Sequence, residues 1–428
     1  MAAFNENDVH KHLLGAGLES LILDCSAFDL PADQNTSTAF GEEGDFVLWR
    51  IIKERAFAKL KRLHQSIRCG DLIGSKVQLK LGGEGGAMEL DFLGVHEGGL
   101  FVLELKVSKS AERNAFSELF AYSNYIAGMF ALSGRQDIAN VLVANIENQI
   151  TRQAFLYDLL INDRNIVVYR PKFDTDQVSS LRLEMYLPSD EDFRHFSNEL
   201  LSHESMACVV ISFDDVDGWF DSNEMSGSLN DTTLQNLSAL STYAAQLMEA
   251  ENLHGFCFIR KPWAEIPRFY RNSLFICAVN PFGAAEPNRS NEIVAQIDPT
   301  FHSEFFAAPE LSFDGRLIRL AQRAVSDCLT YTHQGECETP RWSALILQMQ
   351  EVVFTHNFGF RPTGIFREAY GSYVASLYAH NHFREGHKHD IDKLQINEIN
   401  NWLRAWSFME GCGFTEHSLG NDDEENEQ

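Results

Sequence analysis

The sequence predicts an α/β protein, with a mixed sheet flanked by helices, then a second α/β region and a helical C-terminal region. Short apolar runs bounded by glycine-rich or polar turns alternate with helical patterns over residues 76–279. From about residue 312, apolar side chains recur at the three- and four-residue spacing of helices. The chain has 428 residues, 44% of them hydrophobic, which is enough for roughly two or three domains with separate cores.

We expect the chain to divide into five segments. They are an N-terminal segment at 1–40, a first α/β domain at 41–172, a second α/β domain at 173–300, a mainly helical domain at 301–418 and an acidic disordered tail at 419–428. The boundary at 172 rests on Pro171, which follows the last strand predicted for the first sheet.

The elements of the first domain follow from local patterns. A helix is predicted from Phe46 onward, and alternation from Lys76 to Leu81 predicts the first strand. The glycines at 82–86 predict a hairpin and not a phosphate loop, because the Gly-Lys-Ser/Thr ending is missing. Strands at 138–146 and 166–169, around a helix near 151–161, complete the sheet.

Charged residues interrupt two further apolar strands that are predicted between residues 87 and 107. Glu104 and Lys106 lie two positions apart in the run 101–107 and therefore share one face of their strand. The glycine-containing turn at 96–99 predicts a hairpin that brings Asp91 within reach of Glu104. A buried charge is costly unless it is paired or bound to a metal, so the three residues predict a site. The alternative is an ion pair on a solvated sheet face, with Asp91 as a surface acid.

Two carboxylates suit magnesium, which takes one or two protein carboxylates and completes its shell with water and substrate phosphate. The lysine would add a proton acceptor or a phosphate anchor. We therefore expect Asp91 and Glu104 to bind Mg²⁺ or Mn²⁺ beside Lys106.

The acid, then acid-x-lysine order resembles the PD-(D/E)XK, or restriction-endonuclease-like, nuclease superfamily. Leu90 stands where that signature nominally has proline. The next helix carries Glu118 and Tyr122 on one face, which looks like the Gln-x-x-x-Tyr element of RecB-like branches with Glu in place of Gln. Members often carry a metal-supporting Glu on the helix before the first strand, which implies Glu42 or Glu43 here. The resemblance covers residues 41–172 and implies a restriction-endonuclease-like sheet.

The resemblance implies a metal-dependent nuclease that hydrolyses phosphodiester bonds. DNA is the expected substrate, in repair or in defence against foreign DNA. Lys106 would orient or deprotonate the attacking water, and Glu118 and Tyr122 would position the site. For Glu118 and Tyr122 a plain core role is the alternative. Two other functions remain open, an inactive nuclease-like binding scaffold and an effector nuclease gated by a ligand.

The charge distribution bears on substrate binding. A net charge of −26 argues against broad, non-specific binding of a polyanion. Residues 50–68 nevertheless carry seven basic side chains against Glu54 alone. We expect this cluster to contact phosphates, with a solvated helix face as the alternative. The predicted contacts are Lys59, Lys61, Arg62 and Arg68.

The rest of the chain offers elements but no catalytic constellation. Strands are predicted at 181–185, 208–213, 256–259 and 274–279, and a helix follows Asp231. Acids at 214–217 are expected to be a solvated turn. Four histidines at 380–389 could bind zinc, but no cysteines lie nearby, so we assign them no site.

The sequence also indicates a location and partners. It contains no apolar run long enough for a membrane span, and residues 1–20 lack a signal-peptide pattern. Eight cysteines are scattered without a Cys-x-x-Cys motif, which is typical of reduced proteins. We expect a cytoplasmic protein with no membrane contact, which could form a homo-oligomer or bind a protein partner through its C-terminal domains.

Overall fold

The structure is a computed structural model of the chain. It describes residues 4–24, 48–79, 88–107, 112–131, 137–200, 205–214, 231–262, 272–283, 287–329, 334–350, 355–374 and 402–412. The chain forms two compact units: residues 1–33 with 52–190, and residues 34–51 with 191–428.

The first unit contains a six-stranded mixed sheet in the order β1-β2-β3-β4-β5-β6. Its strands are β1 (Asp71–Leu79), β2 (Met88–His96), β3 (Gly99–Lys106), β4 (Ile138–Ala144), β5 (Ile166–Phe173) and β6 (Leu181–Met185). β3, β4 and β5 are parallel, and the other neighbours are antiparallel. The parallel centre is nearly all apolar because helices cover both of its faces.

The helices of this unit are α1 (Glu6–Ala16), α2 (Leu18–Leu21), α3 (Leu48–Arg68), which belongs to it from Ile52 onward, α4 (Ala115–Ala127) and α5 (Gln149–Leu160). α4 and α5 connect successive parallel strands, and right-handed crossovers place both on one face of the sheet. α3 lies on the other face, where His64 meets the Tyr169 hydroxyl at 3.2 Å. The sheet therefore has one face toward α4 and α5 and an opposite face toward α3.

The second unit contains an antiparallel sheet in the order β10-β7-β9-β8-β11. The strands are β7 (Met206–Phe213), β8 (Gly255–Pro262), β9 (Asn272–Val279), β10 (Gln334–Glu338) and β11 (Thr355–Thr363). Its helices are α7 (Asp231–Ala250), α8 (Pro287–Val294), α9 (His302–Cys328), α10 (Trp342–Gln350), α11, described over 365–374, and α12 (Trp402–Gly411). α7 and α9 pack against one sheet face in a continuous apolar core. Aromatic side chains of α10 and α12 contact the other face through Phe256 and Phe258.

The predicted fold class, a mixed α/β protein with flanking helices and a helical C-terminal region, is confirmed. The division into units falls after Asp190, later than the predicted 172, because β6 pairs with β5 in the first sheet. α6 (Asp190–Leu200) begins at this division. No division occurs at 300, since Phe313 and Leu317 of α9 share one core with β7 and β9. Residues 1–33 belong to the first unit, although they were expected to form a separate segment.

Several predicted features lie outside the described residues. They are the glycine loop at 82–86, the acids at 215–217, the histidines at 380–389 and the tail at 419–428. Among the described residues, no helix combines the length and apolarity needed to cross a bilayer.

Candidate active site

The structure brings Asp91, Glu104 and Lys106 together at the ends of β2 and β3. The β2–β3 register pairs Phe92 with Leu103, and its continuation sets Asp91 opposite Glu104 on one sheet face. Asp91 Oδ2 accepts a hydrogen bond of 2.9 Å from the Leu105 backbone N–H. Lys106 Nζ lies 2.6 Å from Glu104 Oε1. The three side chains predicted from the sequence therefore form one cluster.

Glu104 is the buried centre of this cluster. Only 2% of the residue is exposed, which rules out the alternative of a solvated surface ion pair. Its Oε1 accepts from Lys106, while its Oε2 is buried and has no hydrogen-bond partner among the described residues. Burial and then the nearby Asp91 charge raise the pKa of Glu104 to about 8. The second oxygen of Glu104 thus has an unused lone pair in a crowded negative site.

Lys106 bridges two carboxylates. Its Nζ lies 2.6 Å from Glu104 and 2.9 Å from Glu118 of α4. Burial alone would lower the pKa of Lys106, but the hydrogen bonds to these two carboxylates outweigh burial and raise it. Lys106 is therefore a protonated, fixed cation in this arrangement.

Burial also raises the pKa of Asp91, and the hydrogen bond from Leu105 opposes that rise. Burial disfavours the charged state of both Asp91 and Glu104. A cation placed between them would stabilise both carboxylates in the charged state.

The helix residues that resemble the Gln-x-x-x-Tyr element also reach the site. Glu118 contacts Lys106 directly, and Tyr122 is 6% exposed on the same face of α4. Burial and then the charges of Glu104 and Glu118 raise the pKa of Tyr122 to about 12. Tyr122 is therefore a neutral hydroxyl beside the carboxylates, and the plain core role does not hold for Glu118.

A residue that the sequence did not single out, Glu6, lies in the same electrostatic neighbourhood. Burial raises the pKa of Glu6, and the charges that act on it next include Lys106, Asp91 and Glu118. Glu6 is the first residue of α1, whose N-cap Asn5 accepts from the Asp8 backbone N–H. The only sequence signal was an acid in a helical first turn, which by itself is an ordinary capping feature.

His10 anchors α1 to the strand that carries Asp91. Its ring stacks on Phe92 with centroids 4.2 Å apart, and its Nε2 lies 3.3 Å from the Asp91 carbonyl oxygen. Ser75 Oγ lies 3.4 Å from the same nitrogen. The first helix is thereby fixed one turn beyond Glu6. The predicted metal-supporting residues Glu42 and Glu43 lie outside the described residues.

The structure does not place the basic cluster beside the site. Glu104 is paired with Leu142 and Leu142 with Val168, so these three side chains share a face. The next residue, Tyr169, points to the opposite face, where it meets α3. Lys59 forms a 2.8 Å ion pair with Asp163, and Arg68 lies 4.0 Å from Asp24. Lys59 and Arg68 are therefore paired with acids of the first unit, and the helix that carries them packs against the sheet face opposite to Glu104. Arg62 is exposed on the same helix, and Lys61 is half-buried.

The cluster fits a hard divalent cation, although no group of three or more His, Cys, Asp or Glu side chains in the described part of the chain could hold one alone. Magnesium needs only one or two protein carboxylates, with water and phosphate oxygens as its other ligands. Asp91 and Glu104 supply that number, and the unpartnered Glu104 Oε2 supplies a buried donor atom.

The chain was compared with known proteins in three ways. No family model, no curated protein and no solved structure matched it. The geometry of the acid cluster is therefore the basis for assigning a function to the chain.

Proposed function

We propose that the protein is a divalent-metal-dependent nuclease whose active site is formed by Asp91, Glu104 and Lys106. The observation that carries the proposal is the buried Glu104. One of its oxygens is held by Lys106 at 2.6 Å, its other oxygen has no partner among the described residues, and Asp91 lies across the strand pair. A purely structural ion pair does not require a second acid beside it. The resemblance to PD-(D/E)XK nucleases supports the same reading.

Asp91 and Glu104 would hold Mg²⁺ or Mn²⁺, which would polarise the scissile phosphate and acidify a bound water. Glu104 must lose its proton to bind the cation, because its pKa is raised to about 8 when no cation is bound. A positive ion would offset the Asp91 charge and lower that pKa.

Lys106 acts in this proposal as a positioned cation. Since its pKa is raised, it is protonated at neutral pH and donates from Nζ to Glu104 and Glu118. A fixed ammonium group stabilises negative charge that develops on a phosphate oxygen, and it can orient a water molecule. Of the two roles expected for Lys106, orientation fits this state better than proton abstraction.

The surrounding residues hold these groups in place. Glu118 fixes Lys106 from α4, and the neutral Tyr122 hydroxyl can donate a hydrogen bond to a phosphate oxygen. Glu6 would add a fourth carboxylate, from α1, that could hydrogen-bond waters of the cation's shell. DNA as substrate, a role in repair or defence, and a cytoplasmic location belong to the proposal. The cysteines of the described ranges are free thiols, which suits a reducing compartment.

The decisive experiment measures cleavage by purified protein. Labelled single-stranded and double-stranded DNA and RNA are incubated with Mg²⁺, Mn²⁺ or EDTA, and wild type is compared with Glu104→Gln and Lys106→Ala. We expect metal-dependent cleavage by wild type and a loss of at least about a hundredfold in each variant. Glu97→Gln, in the exposed turn between β2 and β3, is the matched control and should retain activity.

Thermal unfolding of each variant shows whether a loss of activity reflects a loss of folding. Absence of cleavage on all four substrates with both metals, in a folded protein, would leave the binding scaffold as the better account. Equal cleavage by Glu104→Gln and wild type would show that the catalytic residues lie in another part of the chain.

A further inference from the structure

A cavity of about 420 Å³ lies in the second unit, far in sequence from the acid cluster. Its wall includes Met206 and Cys208 of β7, Glu310 and Asp314 of α9, and Pro340 and Trp342 from the segment that joins β10 to α10. The cavity therefore lies along one edge of β7.

This edge of β7 is paired over only part of its length. β10 pairs with β7 up to Glu338 opposite Val210. Continuing that register would set Pro340 opposite Cys208, and proline has no backbone N–H to donate. The pairing ends there, so no strand among the described residues pairs with residues 206–208 of β7 on this side, and residues 339–343 line the cavity instead.

The backbone direction shows which groups face the cavity. Asn280 N–H donates to the Ser205 carbonyl at 2.7 Å, so residues 205 and 207 exchange hydrogen bonds with the β9 side. Backbone groups alternate along a strand, so the N–H and C=O of Met206 and Cys208 point to the other edge, into the cavity. That edge offers the hydrogen bonds of an added strand.

The two sides of this edge differ in chemistry. Ala207 packs toward the core shared with α9, the helix that carries Glu310 and Asp314. Met206 and Cys208 point to the opposite face, where Trp342 contacts Phe256. An extended segment at this edge would meet carboxylates on one side and apolar groups on the other.

The acidic side has excess negative charge. Burial and then the Glu310 charge raise the pKa of Asp314. Glu310 and Asp314 lie one helical turn apart on α9, so both face the cavity, and the exposed Arg341 is the single cation among the residues that line it. A guanidinium or ammonium group from outside would complement the two carboxylates.

We propose that the edge of β7 at residues 206–208 binds an extended peptide as an added antiparallel strand, with a basic side chain between Glu310 and Asp314 and apolar side chains against Trp342. The added strand continues where β10 stops, and its backbone pairs with Met206 and Cys208. In such a pair, residues opposite Cys208 point to the Trp342 side, and the intervening residue points to the carboxylates. The recognised pattern is therefore apolar-basic-apolar. The site makes no use of the nuclease residues and does not depend on the proposed nuclease function.

The test uses fluorescence anisotropy with the full chain and a labelled peptide, Gly-Ser-Val-Arg-Val-Ser-Gly. Three analogues isolate the interactions. Citrulline in place of arginine removes the charge at constant shape, N-methylation of both valines blocks pairing with β7, and N-methylation of the arginine leaves that pairing intact. The protein variants are Glu310→Gln with Asp314→Asn, and a matched pair outside the cavity, Glu292→Gln with Glu304→Gln.

We expect saturable binding of the parent peptide that weakens about fivefold or more with citrulline or with the Glu310/Asp314 variant. N-methylation of the valines should abolish binding, while N-methyl-arginine and the Glu292/Glu304 variant should bind like the parent. Lack of binding at millimolar peptide would overturn the proposal, as would equal affinity for the valine-methylated analogue. Equal binding of free arginine amide and the parent peptide would show a small-cation site and not a strand-binding edge.

Discussion

At the scale of single residues, Glu104 determines what the candidate site can do. A carboxylate that is 2% exposed in an apolar strand requires a partner, and Lys106 satisfies only one of its two oxygens. The nearby Asp91 charge further disfavours the charged state of Glu104 in the absence of a cation. The site is therefore arranged for binding charge and not for stability, as is common for functional sites.

The raised pKa of Glu104 predicts a measurable effect on stability. Its pKa is about 8 in the folded protein against an ordinary 4.5, so between these values the folded state binds the extra proton. The resulting stabilisation is full below about pH 4.5 and is lost as the pH rises through about 8. Glu104→Gln should remove this dependence, and at pH 8 it should raise the free energy of unfolding by a few kcal/mol at most, at about 1.4 kcal/mol per pKa unit.

Urea unfolding of wild type and Glu104→Gln at several pH values from 5 to 9 measures the difference, with Glu97→Gln as the control. Mg²⁺ should raise wild-type stability more at pH 8 than at pH 6, because it binds the deprotonated carboxylate, and it should not stabilise Glu104→Gln. Parallel pH curves for wild type and Glu104→Gln would contradict a raised pKa at this residue.

At the scale of elements, the core strands were predictable from local patterns, but the position of α1 near the acid cluster was not. Apolar runs with period-two charges identified β3, and the i, i+4 spacing of Glu118 and Tyr122 identified the correct face of α4. α1 is separated from β2 by about seventy residues, and local sequence patterns carry no information about which distant element packs where. Local patterns consequently indicated Glu42 or Glu43, which lie outside the described residues, and gave no indication of Glu6.

If α1 contributes to the site, Glu6→Gln should weaken Mn²⁺ binding and lower cleavage by roughly tenfold, the usual effect of a residue that supports a metal site. The helix should survive, because its N-cap is Asn5, whose side chain still accepts from Asp8 N–H. Asp8→Asn is the matched control, an exposed acid in the same helical turn.

Calorimetric titration with Mn²⁺ at constant pH measures the binding, alongside turnover on the preferred substrate. Mn²⁺ affinity and turnover equal to wild type in Glu6→Gln would show that Glu6 is a capping residue of α1 alone.

At the scale of the whole molecule, the sequence predicted the types of secondary structure better than the spatial arrangement of the elements. The fold class followed from patterns that span a few residues, whereas the strands β10 and β11 were missed inside a region expected to be helical. Their pairing partners β7 and β8 lie about a hundred residues away in sequence, so sheet order could not be read locally. The basic stretch at 50–68 shows the same limit, because its charge was visible but its ion-pair partners were not.

The arrangement of that stretch gives a prediction for substrate binding by a chain of net charge −26. α3 packs against the sheet face opposite to Glu104, and its Lys59 is already paired with Asp163. Changing Lys59, Lys61 and Arg62 together to Ala should therefore leave the slope of log affinity against log salt unchanged for DNA. A phosphate contact on duplex DNA would contribute about −0.9 to that slope.

The same variant should lose stability by about 1 kcal/mol, because Asp163 loses Lys59. Arg62→Ala is the control for an exposed position on the same helix, and it should change neither quantity. The binding is measured with Ca²⁺ replacing Mg²⁺. A slope that flattens in the triple variant would show that α3 contacts the DNA phosphates.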